Sequence, residues 1–198
     1  MSEILTIDTA AGIIKEDERL EPLSICSDNH QYLTTRIPEY TDKLPNADIS
    51  KLASLLKFTM KLYNGIGLAA NQCGLSVRMF VMGTDQFQMV CINPKIIDVS
   101  PEMVRDNEGC LSAPAFYVKI DRPKWCDVEF NDENGNLKST RLDGLSARCF
   151  LHEMDHLNGI IFTKDIGPVA MKMARQRQTK IIRTMDRHQK KLHFSNKE

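Results

Sequence analysis

Two histidines four residues apart constrain this chain more than any other feature. In His152-Glu153-Met154-Asp155-His156 the imidazoles share a face only if the segment is an α-helix. On that face they can grip one metal ion. Glu153 starts beside the first of them, where its carboxylate can reach a water on the metal. A metal acidifies such a water and the carboxylate can take its proton. The fold must therefore supply a helix, bury it, and bring further groups to it.

Two imidazoles hold a catalytic metal poorly, so a third ligand is needed. Zinc endopeptidases with this motif take it from downstream, as a third histidine or a glutamate. The histidine position holds Phe162, and the only glutamate after Glu153 is Glu198. Cys149 lies seven residues before His156, about 10.5 Å along a helix axis. That is too far, and it reads as a small pocket or core residue. Cys110, in Glu108-Gly109-Cys110-Leu111-Ser112, is the better candidate, although taken by itself it would be a buried free thiol.

The remaining pattern is that of an α+β chain. Positions 49–63 carry apolar residues at helical spacing, with Asn46 or Asp48 as a cap and Asn64-Gly65-Ile66-Gly67 as a stop. Short β-prone runs follow at 77–82, 89–93 and 96–99. The runs 125–130 and 137–142 flank a turn-rich hexapeptide and read as a hairpin. Helices are expected at 145–158, ended by Asn158-Gly159, and from about Pro168 to Leu192. Strands in the middle with helices around them predict small antiparallel or mixed sheets packed around a central metal-binding helix. Residues 1–47, broken by Pro22, Pro38 and Pro45, read as an irregular arm over a core.

Composition narrows the class. The 198 residues, 42% hydrophobic and 26% charged with formal net charge +0, suit one domain over 1–198 and no sequence-specific nucleic-acid role. The N-terminus lacks a basic and apolar leader, and Glu3, Asp8, Glu16, Asp17 and Glu18 argue against a mitochondrial presequence. No apolar run suits a membrane span. A cytoplasmic protein is expected, with its six cysteines as free thiols.

Three segments together resemble the peptide deformylases. Gly65-Ile66-Gly67-Leu68-Ala69-Ala70-Asn71-Gln72 matches their GxGLAAxQ pattern, Glu108-Gly109-Cys110-Leu111-Ser112 matches EGCLS, and the histidine motif matches HExDH. The likeness covers about residues 45–165, the expected catalytic core, and leaves a basic helical extension at about 168–193. It implies removal of the formyl group from formyl-methionyl nascent peptides, with Cys110, His152 and His156 on the metal and Glu153 as acid and base. Gln72 and the Leu111 N–H would donate to the oxyanion. Gly65, Gly67 and Ser112 would flank a substrate bound as an added strand, and Ile66, Leu145 and Cys149 would wall a methionine pocket, Leu145 equally well being ordinary core. The metal would be iron(II) natively, with zinc, nickel or cobalt able to replace it. The resemblance also pairs Asp155 with Arg122. Two positions depart from it: Leu151 stands where glutamine is usual, and Tyr117 where an arginine contacts the peptide. The cations of the last helix, from Lys172 to Lys191, raise ribosome docking beside the plainer reading of a solvated face. A zinc endopeptidase and a non-catalytic metal- or peptide-binding relative are the competing readings.

Overall fold

A computed structural model describes residues 21–84 and 87–195. The first part of the expected arm lies outside these. From residue 21 to α1 (Ala47–Leu62), the arm carries a single 3-10 turn, Gln31–Leu33. It is irregular, yet it buries Leu33 and Ile37, and its Leu23, Ile25, Tyr40 and Leu44 pack against the core that includes Leu56, Met60, Met79 and Val81.

Helix α1 starts where Asn46 accepts the Asp48 N–H, which satisfies one of the four free donors of a first turn. Asn64, with φ 54°, turns the chain away after the helix. Strands β1 (Gly67–Ala69), β2 (Met79–Thr84), β3 (Phe87–Val99), β6 (Trp125–Asn131) and β7 (Leu137–Asp143) form a five-stranded sheet in the order β1-β2-β3-β6-β7. Strands β4 (Met103–Cys110) and β5 (Ala113–Pro123) form a separate two-stranded sheet. Every pairing is antiparallel. The runs expected at 89–93 and 96–99 are one strand, β3, which shifts register around Pro94 and again past Ile96; a proline inside a strand is tolerated at such irregularities.

Period-two alternation explains how the large sheet is covered on both sides. On β2, Met79 and Val81 face α1 with Leu56, Met60 and Leu68. Phe80 and Met82 face the opposite side, against α2 (Gly144–Leu157). There the Phe80 and Phe150 rings meet edge to face at 5.0 Å. Both faces of α2 are buried, because β4 and β5 lie across it from the large sheet. Helix α3 (Pro168–Ser195) packs against the same hairpin, where Ala174 meets Phe116 and Val118. A buried helix between two sheets is thus the place where α2 can bring His152, Glu153 and His156 together away from bulk water.

Candidate metal centre

The donors converge from two elements. His152 and His156 project from α2, with Nε2 atoms 3.1 Å apart. Cys110 is the last residue of β4, and its Sγ lies 3.2 Å from His156 Nε2. The three ligand atoms all lie within 4.8 Å of one another. Two nitrogens and a sulfur pointing at a common centre, with both histidines buried, fit the donor set of a divalent ion.

Glu108 orients the first histidine. Its Oε1 is 2.6 Å from His152 Nδ1, which leaves Nε2 to face the centre. The same carboxylate accepts two hydrogen bonds from Arg122, at 2.7 and 3.1 Å, and one from Arg148 at 3.1 Å. Burial raises its pKa, but the hydrogen bonds from His152 and Arg122 outweigh this and hold the carboxyl down at about 2. Arg122 also donates to Asp155 at 2.7 Å, so the Asp155–Arg122 pair implied by the resemblance is present and extends to Glu108.

Glu153 is the odd acid of the site. Burial pushes its carboxyl up to about 7, and its Oε2 is buried with no hydrogen-bond partner among the described residues. Such an unpartnered oxygen is costly unless a ligand or water meets it. Gly67 gives it room. A Cβ at that position would collide with Glu153 Oε1 and come within 2.8 Å of the Cys149 sulfur. These two side chains occupy the space its missing side chain leaves.

Gln72 is fixed at both ends of its amide. Oε1 accepts the Ala69 N–H at 2.8 Å, which turns Nε2 toward Cys110 Sγ at 3.4 Å and Ser112 Oγ at 3.2 Å. Leu111 packs over Gly65, where a Cβ would meet its Cδ1 at 2.7 Å. Cys149 is not among the donors; it gives its S–H to the Ile66 carbonyl at 3.2 Å.

A cavity of about 430 Å³ opens onto this centre, lined by Gly65, Ile66 and Gly67, by Cys110 and Leu111, and by Leu145, Cys149 and Glu153. Gln72, His152 and Tyr117 also border it. Ser112 is buried against Gln72 instead. A larger groove of about 640 Å³ touches none of the three donors, so the chemistry belongs to the smaller cavity. Leu151 is buried in the core around α2.

Several supporting residues went unread in the sequence. Arg148 is buried and donates to Glu108 and to the Ile120 and Val104 carbonyls. Asn71 donates to the His156 carbonyl at 2.7 Å and to Tyr32 O at 2.9 Å. Arg78 donates to the carbonyls of Leu157 and Ile37 and to Asn158 Oδ1, a cation at the C-terminal end of α2. Nothing in their spacing marks these roles. Glu108 was legible only as part of its motif.

The geometry agrees with comparison to known proteins. A model of the polypeptide deformylase family matches residues 22–172. The peptide deformylase of Thermotoga maritima is 40% identical over 129 residues, 65% of this chain and 79% of that protein. The one from Agrobacterium fabrum is 35% identical over 169 residues, 83% of this chain and 97% of that protein. The crystal structure of a peptide deformylase from Legionella pneumophila superposes with a TM-score of 0.75 at 29% identity, covering 84% of this chain and 99% of that one. Fold, donor set and sequence agree: this chain belongs to the polypeptide deformylase family.

Proposed function

We propose that this chain removes the N-terminal formyl group from formyl-methionyl nascent peptides and releases formate, and that residues 45–165 form the catalytic core of a single domain. One observation carries the reading. Two imidazoles and a thiol converge on one point beside a buried carboxylate oxygen that has no partner among the described residues.

Cys110, His152 and His156 would hold the ion. When bound, it supplies Lewis acidity, acidifying a water and polarising the formyl oxygen. Glu153 takes the proton of the attacking water at its free oxygen and returns it to the departing amine nitrogen. A carboxyl that burial holds near neutrality is suited to both transfers. Gln72 Nε2 and the Leu111 N–H donate to the oxyanion as the formyl carbon becomes tetrahedral. The Gln72 amide needs no reorientation, since Ala69 already sets it. Ile66, Leu145 and Cys149 wall the space for the methionine side chain, and Gly65, Gly67 and Ser112 flank the peptide. One thiolate with two imidazoles suits iron(II) as the native ion, with zinc, nickel and cobalt as substitutes. The natural setting of this chemistry is the cytoplasm at the ribosome, with the basic stretch of α3 as the docking element.

The test is formate release from a formyl-methionyl tripeptide by iron(II)-loaded protein kept from oxygen. Glu153→Ala should lose turnover by roughly 10²–10⁴-fold and still bind one metal per chain. Cleavage of an internal bond in a blocked peptide, with no formate, would favour an endopeptidase. Undiminished function in Glu153→Ala would favour a structural metal module.

A further inference from the structure

The larger groove is the strongest feature that the chemistry above does not use. It runs between the β4–β5 hairpin on one side and residues 160–167 with the start of α3 on the other. Asn107 and Tyr117 line both this groove and the donor cavity, so the two spaces adjoin. The hairpin register explains the continuity. Gly109 pairs with Tyr117, Asn107 with Lys119 and Arg105 with Asp121, which puts these positions on one face of the ribbon, while Val118, Ile120 and Arg122 of the other face also line the groove. That face starts one residue from Cys110. From Gly109 to Arg105 it extends about 13 Å, the length of roughly four extended residues.

Tyr117 stands at the junction. It is 58% exposed, and its ring lies on Gly109, where an added Cβ would come within 2.5 Å of Cε1. The groove beyond it is biased toward positive charge. Lys119 and Lys164 are exposed and make no ion pair among the described residues, and Arg177 gives its Nε to the Met173 carbonyl. Of the lining acids, Asp155 is taken by Arg122 and Asp121 faces Arg105 at 3.4 Å; Asp165 is the remaining one.

We propose that this groove is the downstream part of the peptide track: it takes about the fourth to sixth residues of a formylated substrate, with the Tyr117 ring as the sill between the two spaces, and Lys119 and Lys164 favour acidic side chains there. This rests on the deformylase reading.

Three formyl-methionyl substrates test it by formate release: a neutral tripeptide, and two hexapeptides with glutamate or lysine at positions four to six. The glutamate hexapeptide should have the lowest KM and exceed the lysine one in kcat/KM by roughly 3–10-fold. The gap should shrink in 0.5 M salt. The double variant Lys119→Glu/Lys164→Glu should reverse the order of the two hexapeptides, and Tyr117→Ala should narrow the gap between hexapeptide and tripeptide KM. Equal kcat/KM for the two hexapeptides, or an unchanged order in the double variant, would overturn the track while leaving the deformylase activity standing. Absence of formate from all three would overturn both.

Discussion

Glu108 has four donor atoms around it, from His152, Arg122 and Arg148. Its side chain is 5% exposed, and those of the two arginines 12% and 9%. Glu108→Ala would leave the nearly buried Arg148 guanidinium without its counter-charge and Arg122 with Asp155 alone, an expected cost of about 3–5 kcal/mol. Glu108→Gln keeps an acceptor for His152 and loses the charge. Its expected signature is milder in stability and clear in metal retention, a loss of roughly 10–100-fold in affinity measured by chelator competition. Retention equal to wild type would show that Glu108 serves only the arginines. Gly67 makes a sharper residue-scale case, because its neighbours are the Glu153 carboxylate and the Cys149 sulfur. Gly67→Ala should destabilise by about 1–3 kcal/mol through overpacking. It should also reduce kcat by roughly 10²-fold by displacing Glu153, the proposed proton carrier, with metal content unchanged. A normal kcat in folded, metal-loaded Gly67→Ala would mean that Glu153 can be moved without consequence.

At the level of elements, what sequence could and could not reveal follows from packing. Helix α1 and strand β6 were legible because each buries one face, so apolar residues recur with a clear period, whereas β7 was legible from the turn-rich residues before it. Cys126, Val128 and Phe130 alternate inward on β6. The β4–β5 hairpin was invisible for the opposite reason. Its outer face is polar at Arg105, Asn107, Lys119 and Asp121, and its inner face spends one position on Glu108 instead of a hydrocarbon. Its turn carries Leu111-Ser112 in place of the usual asparagine or glycine signals, and β5 loses register near Ala115, at φ 59°. Motif spacing located Cys110, yet only tertiary structure shows that it ends a strand. The arm was likewise read as irregular without any indication of where it lies. Its Cys26 N–H donates to the Gln72 carbonyl at 2.7 Å. Through that bond the Cα atoms of Cys26 and Cys73 can be no more than about 7 Å apart, and Cys26 Sγ is 3.8 Å from the Cβ site of Gly74. That separation reaches into the range disulfides use. Burial, with Cys26 next to it, pushes the Cys73 thiol to about 12, so spontaneous thiolate exchange should be slow. Oxidation with copper–phenanthroline should nonetheless join Cys26 to Cys73, as peptide mapping would show, and should raise Tm by several degrees through constraint of the unfolded chain. Other pairings with these two thiols left free would show that the arm does not dock on the 3-10 turn Ala70–Cys73 that carries Gln72.

The whole molecule divides α3 into two parts with different duties. As far as Gln178 the helix belongs to the body. Ala174 is buried against Phe116 and Val118, and the Arg175 guanidinium lies 4.4 Å from the Phe116 ring centre while pairing with Asp28 at 2.9 Å. Gln178 donates to the Pro114 carbonyl at 2.8 Å. Beyond it the described side chains turn outward: Ile181, Ile182 and Met185 are exposed among Lys180, Arg183 and Arg187. Phe116 and Val118 sit on the strand that follows Cys110 and Leu111. The first half of α3 therefore braces the strand that follows the metal-centre residues, and the described side chains of the second half face outward. Two truncations separate these duties. Ending the chain at Gly167 strips the cover from Phe116, at a cost of about 3 kcal/mol. Tm should fall by roughly 10 °C, and metal retention should fall with it. Ending the chain at Gln178 should leave Tm and formate release close to those of the full chain, because the described side chains beyond Gln178 are exposed. If the distal half serves for docking, the same truncation should abolish co-sedimentation with ribosomes at physiological salt. Unchanged sedimentation would reject docking through α3. A large fall in Tm for the Gln178 truncation would instead show that the distal turns belong to the folded body.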